Sequence, residues 1–374
     1  MRALRKRSFV LILASWQMDA PTGMERATAA LAVGLAAVGH RATIVTGAHQ
    51  PSSSGLPGVA VEQLSLPVAF PCDEDSLRKA MAANEAALQT QLLTVVDRHQ
   101  ADAVVFMDAL WGLGRLSVSL PEGVRRVLAV HTLPSGEDLA QVLPHTHEVV
   151  IPSLVVRLEA AMAGWDPSAW KVVPNALLHD HRSHDYEKRM ARRSAPVRML
   201  AGLGPDQGIA PLLTAAATWH RRLEVTLALS GNRETDCDQG ELLDSCRQIV
   251  DSAANISLLP QLSWRDIPAW LAEASSVIVP SMRGAFGLVA LEAMSVGTPV
   301  IASRVGNLPA LLEPAIRGRE LLAEPVHGPH ELLDLVDKLL DDPVAYGATS
   351  EAVYTRSLKY KPGPIARQFV DAVT

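Results

Sequence analysis

The sequence predicts an α/β protein built from two doubly wound, Rossmann-like domains, each a parallel sheet covered by helices on both faces. Three observations predict it. Short apolar or β-branched runs alternate with helix-period segments along most of the chain. The alternation breaks once, in the polar stretch His179–Ser194, and then resumes. The chain has 374 residues, 48% hydrophobic and 20% charged, which suits two globular domains with a core each.

Taken in order, Ser8–Ala14 reads as a buried strand. Thr22–Val38 reads as a helix with Met24, Ala27, Leu31, Leu35 and Val38 on one face, ended by Gly39. Arg41–Val45, Ala103–Phe106, Val127–Val130, Val149–Ile151 and Lys171–Val173 read as further strands, and Ser76–His99 as one long helix. The second series has strands at Val197–Ala201, Val225–Ser230, Ile256–Leu259, Val277–Pro280 and Pro299–Ala302. Its helices are Gln207–Trp219, Gln239–Ser252, Arg265–Glu273 and Leu288–Ser295. His330–Leu340, Ala345–Ser357 and Pro364–Val373 close the chain as helices. Ligands of open parallel sheets bind outside the carboxyl ends of the strands, so a cleft between two such domains is the default site.

Net charge is −6 with no basic stripe, which argues against a nucleic-acid partner. Cys72, Cys237 and Cys246 form no CxxC pair, so neither a disulfide framework nor a zinc site is expected, and a cytoplasmic location is. Arg2, Arg5, Lys6 and Arg7 precede the apolar run Phe9–Ala14, but Trp16-Gln-Met-Asp19 stands where a signal cleavage site would need small residues. No run approaches the roughly 20 apolar residues of a membrane span, and no membrane association is expected. The His179, His181 and His184 cluster lacks an organising helix period or carboxylate and reads as solvated. Asp73-Glu-Asp75 reads as helix-capping acidity.

The most informative stretch is Val279-Pro-Ser-Met-Arg-Gly-Ala-Phe-Gly-Leu-Val-Ala-Leu-Glu-Ala-Met-Ser-Val-Gly-Thr-Pro-Val300, read as strand, loop, helix, turn and strand. Gly284 and Gly287 let backbone approach a ligand, and the helix opening at Gly287-Leu288 offers unpaired N–H groups and a positive dipole end suited to phosphate. Glu292, about one turn further in, is placed to accept from ribose hydroxyls. A helix start that merely packs has the same spacing, so spacing alone leaves both readings open.

This stretch resembles the donor signature of the retaining GT-B glycosyltransferases of family 4. Pro280, Ser281, Phe286, Gly287, Leu291, Glu292, Ala293, Gly297, Pro299 and Val300 match its Pro-Ser-x-x-Glu-x-Phe-Gly, Leu-Glu-Ala and Gly-x-Pro-Val pattern. Ala302-Ser-Arg-Val-Gly-Asn-Leu-Pro309 resembles the loop that follows, Pro21-Thr-Gly-Met-Glu25 the amino-terminal glycine loop, and Val173-Pro-Asn175 the hinge. Leu258–Ala274 resembles the strand and helix beside the nucleotide base. The resemblance implies an acceptor-binding domain at 1–176, a linker at 177–196, a nucleotide-sugar-binding domain at 197–355 and a helix at 356–374 crossing back to the first domain. It implies donor contacts at Gly23, Gly202, Arg233, Leu259, Gly284, Ala285, Phe286, Gly287, Leu288 and Glu292. His131 resembles the histidine that reaches the donor sugar.

The pattern also departs. The family supplies an Arg and a Lys to the leaving diphosphate; here Ala201-Gly-Leu-Gly-Pro-Asp-Gln-Gly208 lacks the Arg and has Gln207 at the Lys position. The first of the two family glutamates falls on Gly284. Gln207 still donates, though without charge assistance, and Arg283 and Arg233 are the nearest substitute cations. His131, Gln207 and Arg283 are therefore the catalytic candidates. Trp16, Asp108, Trp111, Glu137 and Asp138 are acceptor-side candidates at strand ends and loops. The expected activity is metal- and cofactor-independent transfer of a sugar from a nucleotide-diphospho donor to a small-molecule hydroxyl or thiol, in specialised-metabolite (antibiotic-like) biosynthesis, with a homodimer left open. The alternative is a degenerate GT-B binding or partner protein. A GT-B epimerase or phosphorylase ranks last, because no lysine sits in a pyridoxal motif.

Overall fold

A computed structural model describes residues 6–16, 23–47, 55–70, 72–107, 110–178, 185–228, 236–284, 286–316 and 320–374. The described chain forms two compact units. The first takes residues 6–178 together with Tyr360–Thr374, and the second takes residues 185–359.

The first unit runs β1 Ser8–Leu13, α1 Gly23–Ala37, β2 Arg41–Thr46, β3 Val59–Gln63, α2 Glu74–Ala83, α3 Glu85–His99, β4 Ala103–Phe106, β5 Arg125–Ala129, α4 Gly136–Val142, β6 Glu148–Ile151, α5 Leu154–Met162 and β7 Lys171–Val172. The second runs α6 Tyr186–Ala191, β8 Val197–Gly202, α7 Ile209–Ala216, β9 Leu223–Ala228, α8 Asp236–Ser252, β10 Ile256–Leu259, α9 Ile267–Ala272, β11 Val277–Val279, α10 Leu288–Ser295, β12 Val300–Ser303, α11 Leu308–Ile316, β13 Leu322–Ala323, α12 Pro329–Asp341 and α13 Pro343–Ser357. The final helix, α14 Pro362–Val373, belongs to the first unit.

Among the described residues the first sheet has seven strands in the order β3-β2-β1-β4-β5-β6-β7, and the second has six in the order β10-β9-β8-β11-β12-β13. Pairing is parallel throughout both sheets. Strand order reverses between β1 and β4 in one sheet and between β8 and β11 in the other. These are the switch points outside which ligands of doubly wound sheets bind. Every residue of β1 is buried, as a central parallel strand covered on both faces requires. In α14, Ile365, Ala366, Phe369, Val370 and Val373 make a buried stripe at helical spacing, and Phe369 meets Phe9 of β1 edge-on with ring centroids 6.0 Å apart.

Three departures from the sequence reading have physical causes. The single helix expected over 76–99 is two helices. Asn84 sits between them, and its Nδ2 donates to the Ala80 carbonyl at 2.8 Å, a side-chain bond that competes with the helical ladder. The short β3 and β13 were not expected, because edge strands of two to five residues carry little periodicity. The stretch read as linker is largely structured from Asp185 onward. The Asp185 carboxylate caps α6 by accepting from Lys188 N at 2.9 Å. Arg192, within that stretch, is buried, and its guanidinium donates to the carbonyls of Ala272, Val296 and Gly297. Charge in the sequence signalled water; here a guanidinium satisfies carbonyls at the ends of α9 and α10 instead. His179, His181 and His184 lie outside the described residues. Asp73 caps α2, accepting from Ser76 N and from Ser76 Oγ, each at 2.7 Å.

Candidate functional site

In the second unit the signature forms the loop between β11 and α10, at the carboxyl end of the sheet and beside its switch point. Neighbouring loops grip it from two sides. From the β8 side, Met282 N donates to the Asp206 carbonyl at 2.7 Å, and Ser281 Oγ donates to Gln207 Oε1 at 3.4 Å. Gly208, at φ +65°, lies so close that an added Cβ would stand 2.2 Å from the Pro280 carbonyl oxygen. From the β12 side, Gly306 packs so tightly that a Cβ would come within 1.9 Å of the Gly284 oxygen. Asn307 N donates to the Gly284 carbonyl at 3.2 Å, and Asn307 Nδ2 to the Phe286 carbonyl at 3.1 Å.

The laced loops leave room. A Cβ added at Gly202 or at Gly284 would meet nothing within 4 Å. Gly287 opens α10, its carbonyl accepting from Leu291 N at 3.0 Å, and the first N–H groups of the helix supply the positive end of its dipole. Phe286 is buried beneath the loop, Leu288 is half-buried, and Glu292 is a half-buried residue of α10. Leu259 ends β10, the outermost strand of this sheet. Gln207 Nε2 makes no hydrogen bond among the described residues, so its donor end is available. Arg283 is 71% exposed and 3.9 Å from Asp206, a solvated pair of little energetic weight. Ala285 and Arg233 lie outside the described residues.

The first unit holds His131, two residues past the end of β5. It lines a cavity of about 30 Å³ with Met107, Val150, Val173, Asn175, Ile365 and Phe369, room enough for a water molecule. Its Nδ1 is enclosed without a partner of hydrogen-bonding geometry among the described residues. Burial pulls the imidazole pKa down to about 4, against the opposing influence of the Asn175 side chain and the Ala129 backbone. At neutral pH His131 is therefore uncharged, able to donate or accept a hydrogen bond but not to supply a cation.

The acceptor-side candidates divide. Trp16 is 1% exposed and packs in the core, which corrects its place among the acceptor-side candidates. Asp138 is 2% exposed, clamped by both Arg78 terminal nitrogens at 2.9 and 2.7 Å, and accepts from Ser135 Oγ at 3.1 Å. Its carboxylate holds α2 to α4, a structural task that corrects its expected place against an acceptor. Glu137 is exposed on α4 and receives Gln141 Nε2 at 3.1 Å. Gly23 is the exposed first residue of α1. Asp108 lies outside the described residues, and Trp111 is placed only as part of a short 3₁₀ segment, Leu110–Ser117. Asn307 was not singled out by sequence reasoning. Its signal was the Gly-Asn-Leu-Pro turn after β12, which resembles an ordinary helix start.

Two parallel-sheet units with this strand order, and a signature loop at the switch point of the second, define a GT-B protein. Over almost the whole chain the fold is similar to sucrose-phosphate synthase from Thermosynechococcus elongatus, with TM-score 0.76, 18% identity and 98% of each chain covered. It is also similar to Anabaena HepE in complex with UDP-glucose, with TM-score 0.71, 16% identity, and 97% of this chain and 98% of that one covered. Residues 197–342 match the family model described as Glycosyl transferases group 1, which together with the fold supports a GT-B, family 4-like glycosyltransferase. Curated relatives include a D-inositol 3-phosphate glycosyltransferase of Nocardioides sp., 30% identical over 256 residues, covering 62% of this chain and 53% of the relative. Another, from Pseudarthrobacter chlorophenolicus, is 35% identical over 125 residues, covering 33% of this chain and 27% of the relative. The chain thus matches from about a quarter to about half the length of these relatives. Among the described residues no helix is long and apolar enough to cross a membrane.

Proposed function

We propose that the protein is a retaining glycosyltransferase that moves a sugar from a nucleotide-diphospho donor to a small hydroxylated acceptor. The observation that carries the reading is the laced cradle formed by the loops after β8, β11 and β12, open at Gly202 and Gly284 and backed by the α10 amino terminus. The unpaired N–H groups that open α10, with the helix dipole behind them, suit the charge that grows on a leaving diphosphate. Gln207 Nε2 adds a neutral donor beside them, and Arg283 is the cation carried by the signature loop itself. Glu292 accepts from the ribose hydroxyls. His131, kept neutral by burial, is the candidate hydrogen-bonding group of the first unit. No cofactor beyond the donor enters this scheme, no metal takes part, and the location is cytoplasmic.

The relatives' names favour a phosphorylated polyol such as an inositol phosphate as the acceptor class. They lend no support to the antibiotic-like assignment expected from the sequence. The departures at Gln207 and Gly284 favour one second reading, a GT-B protein that binds nucleotide without transferring sugar. The deciding experiment incubates the protein with nucleotide-diphospho sugars of uridine, guanosine, adenosine and thymidine, with and without inositol phosphate, and follows nucleoside diphosphate and glycoside. Acceptor-dependent release of both supports the proposal. Nucleotide binding with no product from any donor and acceptor pair would establish the second reading in its place.

A further inference from the structure

Asn307 joins two loops of the second unit by two bonds made with different parts of one residue. Its backbone N–H holds the Gly284 carbonyl at 3.2 Å, and its side-chain Nδ2 holds the Phe286 carbonyl at 3.1 Å. The two carbonyls bracket the turn that leads into α10. A peptide unit is planar and trans, so its C=O and N–H point to opposite sides. Turning the Phe286 carbonyl toward Asn307 therefore turns the Gly287 N–H away from the β12 loop. Neighbouring Gly284 has open space where its Cβ would be, so the loop is not filled by protein on that account.

The same loop is held rigidly at its other end. The Asn307 carbonyl accepts from Leu311 N at 3.0 Å, which anchors the residue to the first turn of α11. Gly306, before it, lies against the Gly284 oxygen too closely for any side chain. Asn307 is thus held on a helix start, and its amide is a fixed strut. We propose that Asn307 is a positioning residue of the anion cradle, fixing the Phe286–Gly287 peptide so that the Gly287 N–H is presented to the diphosphate. The inference rests on the donor site proposed above.

The test uses the whole chain and two variants. Asn307→Gly removes the Nδ2 donor and keeps the backbone bonds. Asn307→Asp keeps size and helix-capping ability but sets a carboxylate against the Phe286 carbonyl. Calorimetry measures dissociation constants for the best-binding member of a panel of uridine, guanosine, adenosine and thymidine diphosphates, and for the matching nucleoside, alongside thermal unfolding. Expected is a weakening of diphosphate binding of roughly tenfold in Asn307→Gly and more in Asn307→Asp, with nucleoside binding changed less than about twofold. An unchanged ratio of diphosphate to nucleoside affinity in both variants overturns the inference while leaving the donor site intact. So does an equal loss of both ligands, which a merely structural role would give. If Asn307→Gly does not fold, Asn307→Asp alone decides by the same ratio. A wild-type protein that binds no diphosphate of the panel overturns the donor site and this inference together.

Discussion

The two units repeat one strand order around one switch point, yet they finish their strands in different chemistry. At the carboxyl end of the second sheet, backbone lies against backbone. Gly208 abuts Pro280, Gly306 abuts Gly284, Met282 N–H holds the Asp206 carbonyl, and Asn307 N–H holds the Gly284 carbonyl. Beyond β5 of the first sheet, one imidazole faces an apolar cavity, and its ionisation is suppressed by burial. The difference teaches where each unit tolerates change. A cradle made of peptide groups keeps its shape when charged side chains around it are replaced, as at Gln207. A site made of one uncharged histidine depends on that side chain and on the dryness of its surroundings.

The largest expected effect lies at the carboxyl ends of α9 and α10, the opposite end of α10 from the cradle. Arg192 satisfies three carbonyls near the ends of α9 and α10, and also approaches Ser350 Oγ at 3.4 Å. Arg192→Met keeps bulk but orphans those acceptors, and should cost the second unit about 3–5 kcal/mol in denaturant unfolding. A loss below about 1 kcal/mol would show that these helix-end carbonyls find other partners, such as water, once the guanidinium is gone.

The second test sharpens the other side of the comparison. His131 has a folded pKa of about 4 against an ordinary value near 6.5. Between those values the unfolded chain binds a proton that the folded chain does not, so stability is full above pH 6.5 and falls as pH drops toward 4. The loss from this group amounts to about 3 kcal/mol at most. None of the other residues lining the cavity ionises in this range. Expected is a difference in pH slope between wild type and His131→Gln across pH 6.5 to 4, the variant being flatter, measured by urea unfolding. Parallel curves would mean the imidazole is hydrated and ionises freely.

The contrast also explains what was legible from sequence. The parallel sheets were readable because β1, β4, β8 and β12 are short apolar runs followed by helix-period segments. The loop was legible through Gly284, Phe286 and Gly287, which stand in the stretch that resembles the family signature, whereas the close approaches at Gly208 and Gly306 are tertiary and left no such mark. Its lacing was not, because the Asn307 side chain reaches Phe286 across 21 residues and the pairing is made by tertiary geometry. The burial of Arg192 and the structural place of Asp138 escaped the sequence for one reason. A charged letter carries no mark of whether water or a buried partner satisfies it, and Asp138 finds Arg78 across 60 residues. Sequence left Trp16 between packing and an acceptor-side role, because an aromatic at a strand end looks the same whether it packs inward or lies open.

A third prediction returns to the cradle and separates its two ends. Glu292→Gln should weaken nucleoside diphosphate and nucleoside alike by roughly tenfold, because a charged acceptor to the ribose is lost, and should leave inorganic pyrophosphate binding unchanged. Calorimetry with the three ligands reads this directly. Equal loss of pyrophosphate would show that Glu292 shapes the helix amino terminus instead.

The smallest effect is expected at Arg283. Its side chain is largely in water and its distance to Asp206 is 3.9 Å, so in the resting protein it has little electrostatic leverage. Arg283→Gln should raise the diphosphate dissociation constant by no more than about threefold, and the difference should vanish as salt approaches about 0.5 M. Turnover is the sharper measurement, since only groups that bind the transition state better than the ground state change it. If kcat falls by much more than binding does, the signature loop brings Arg283 onto the leaving diphosphate during reaction. The side-chain-independent view of the cradle would then hold for recognition but not for chemistry. If kcat and binding change together and slightly, the peptide groups and Gln207 carry that charge, and Gln207→Lys should raise kcat by adding charge assistance where the amide now stands.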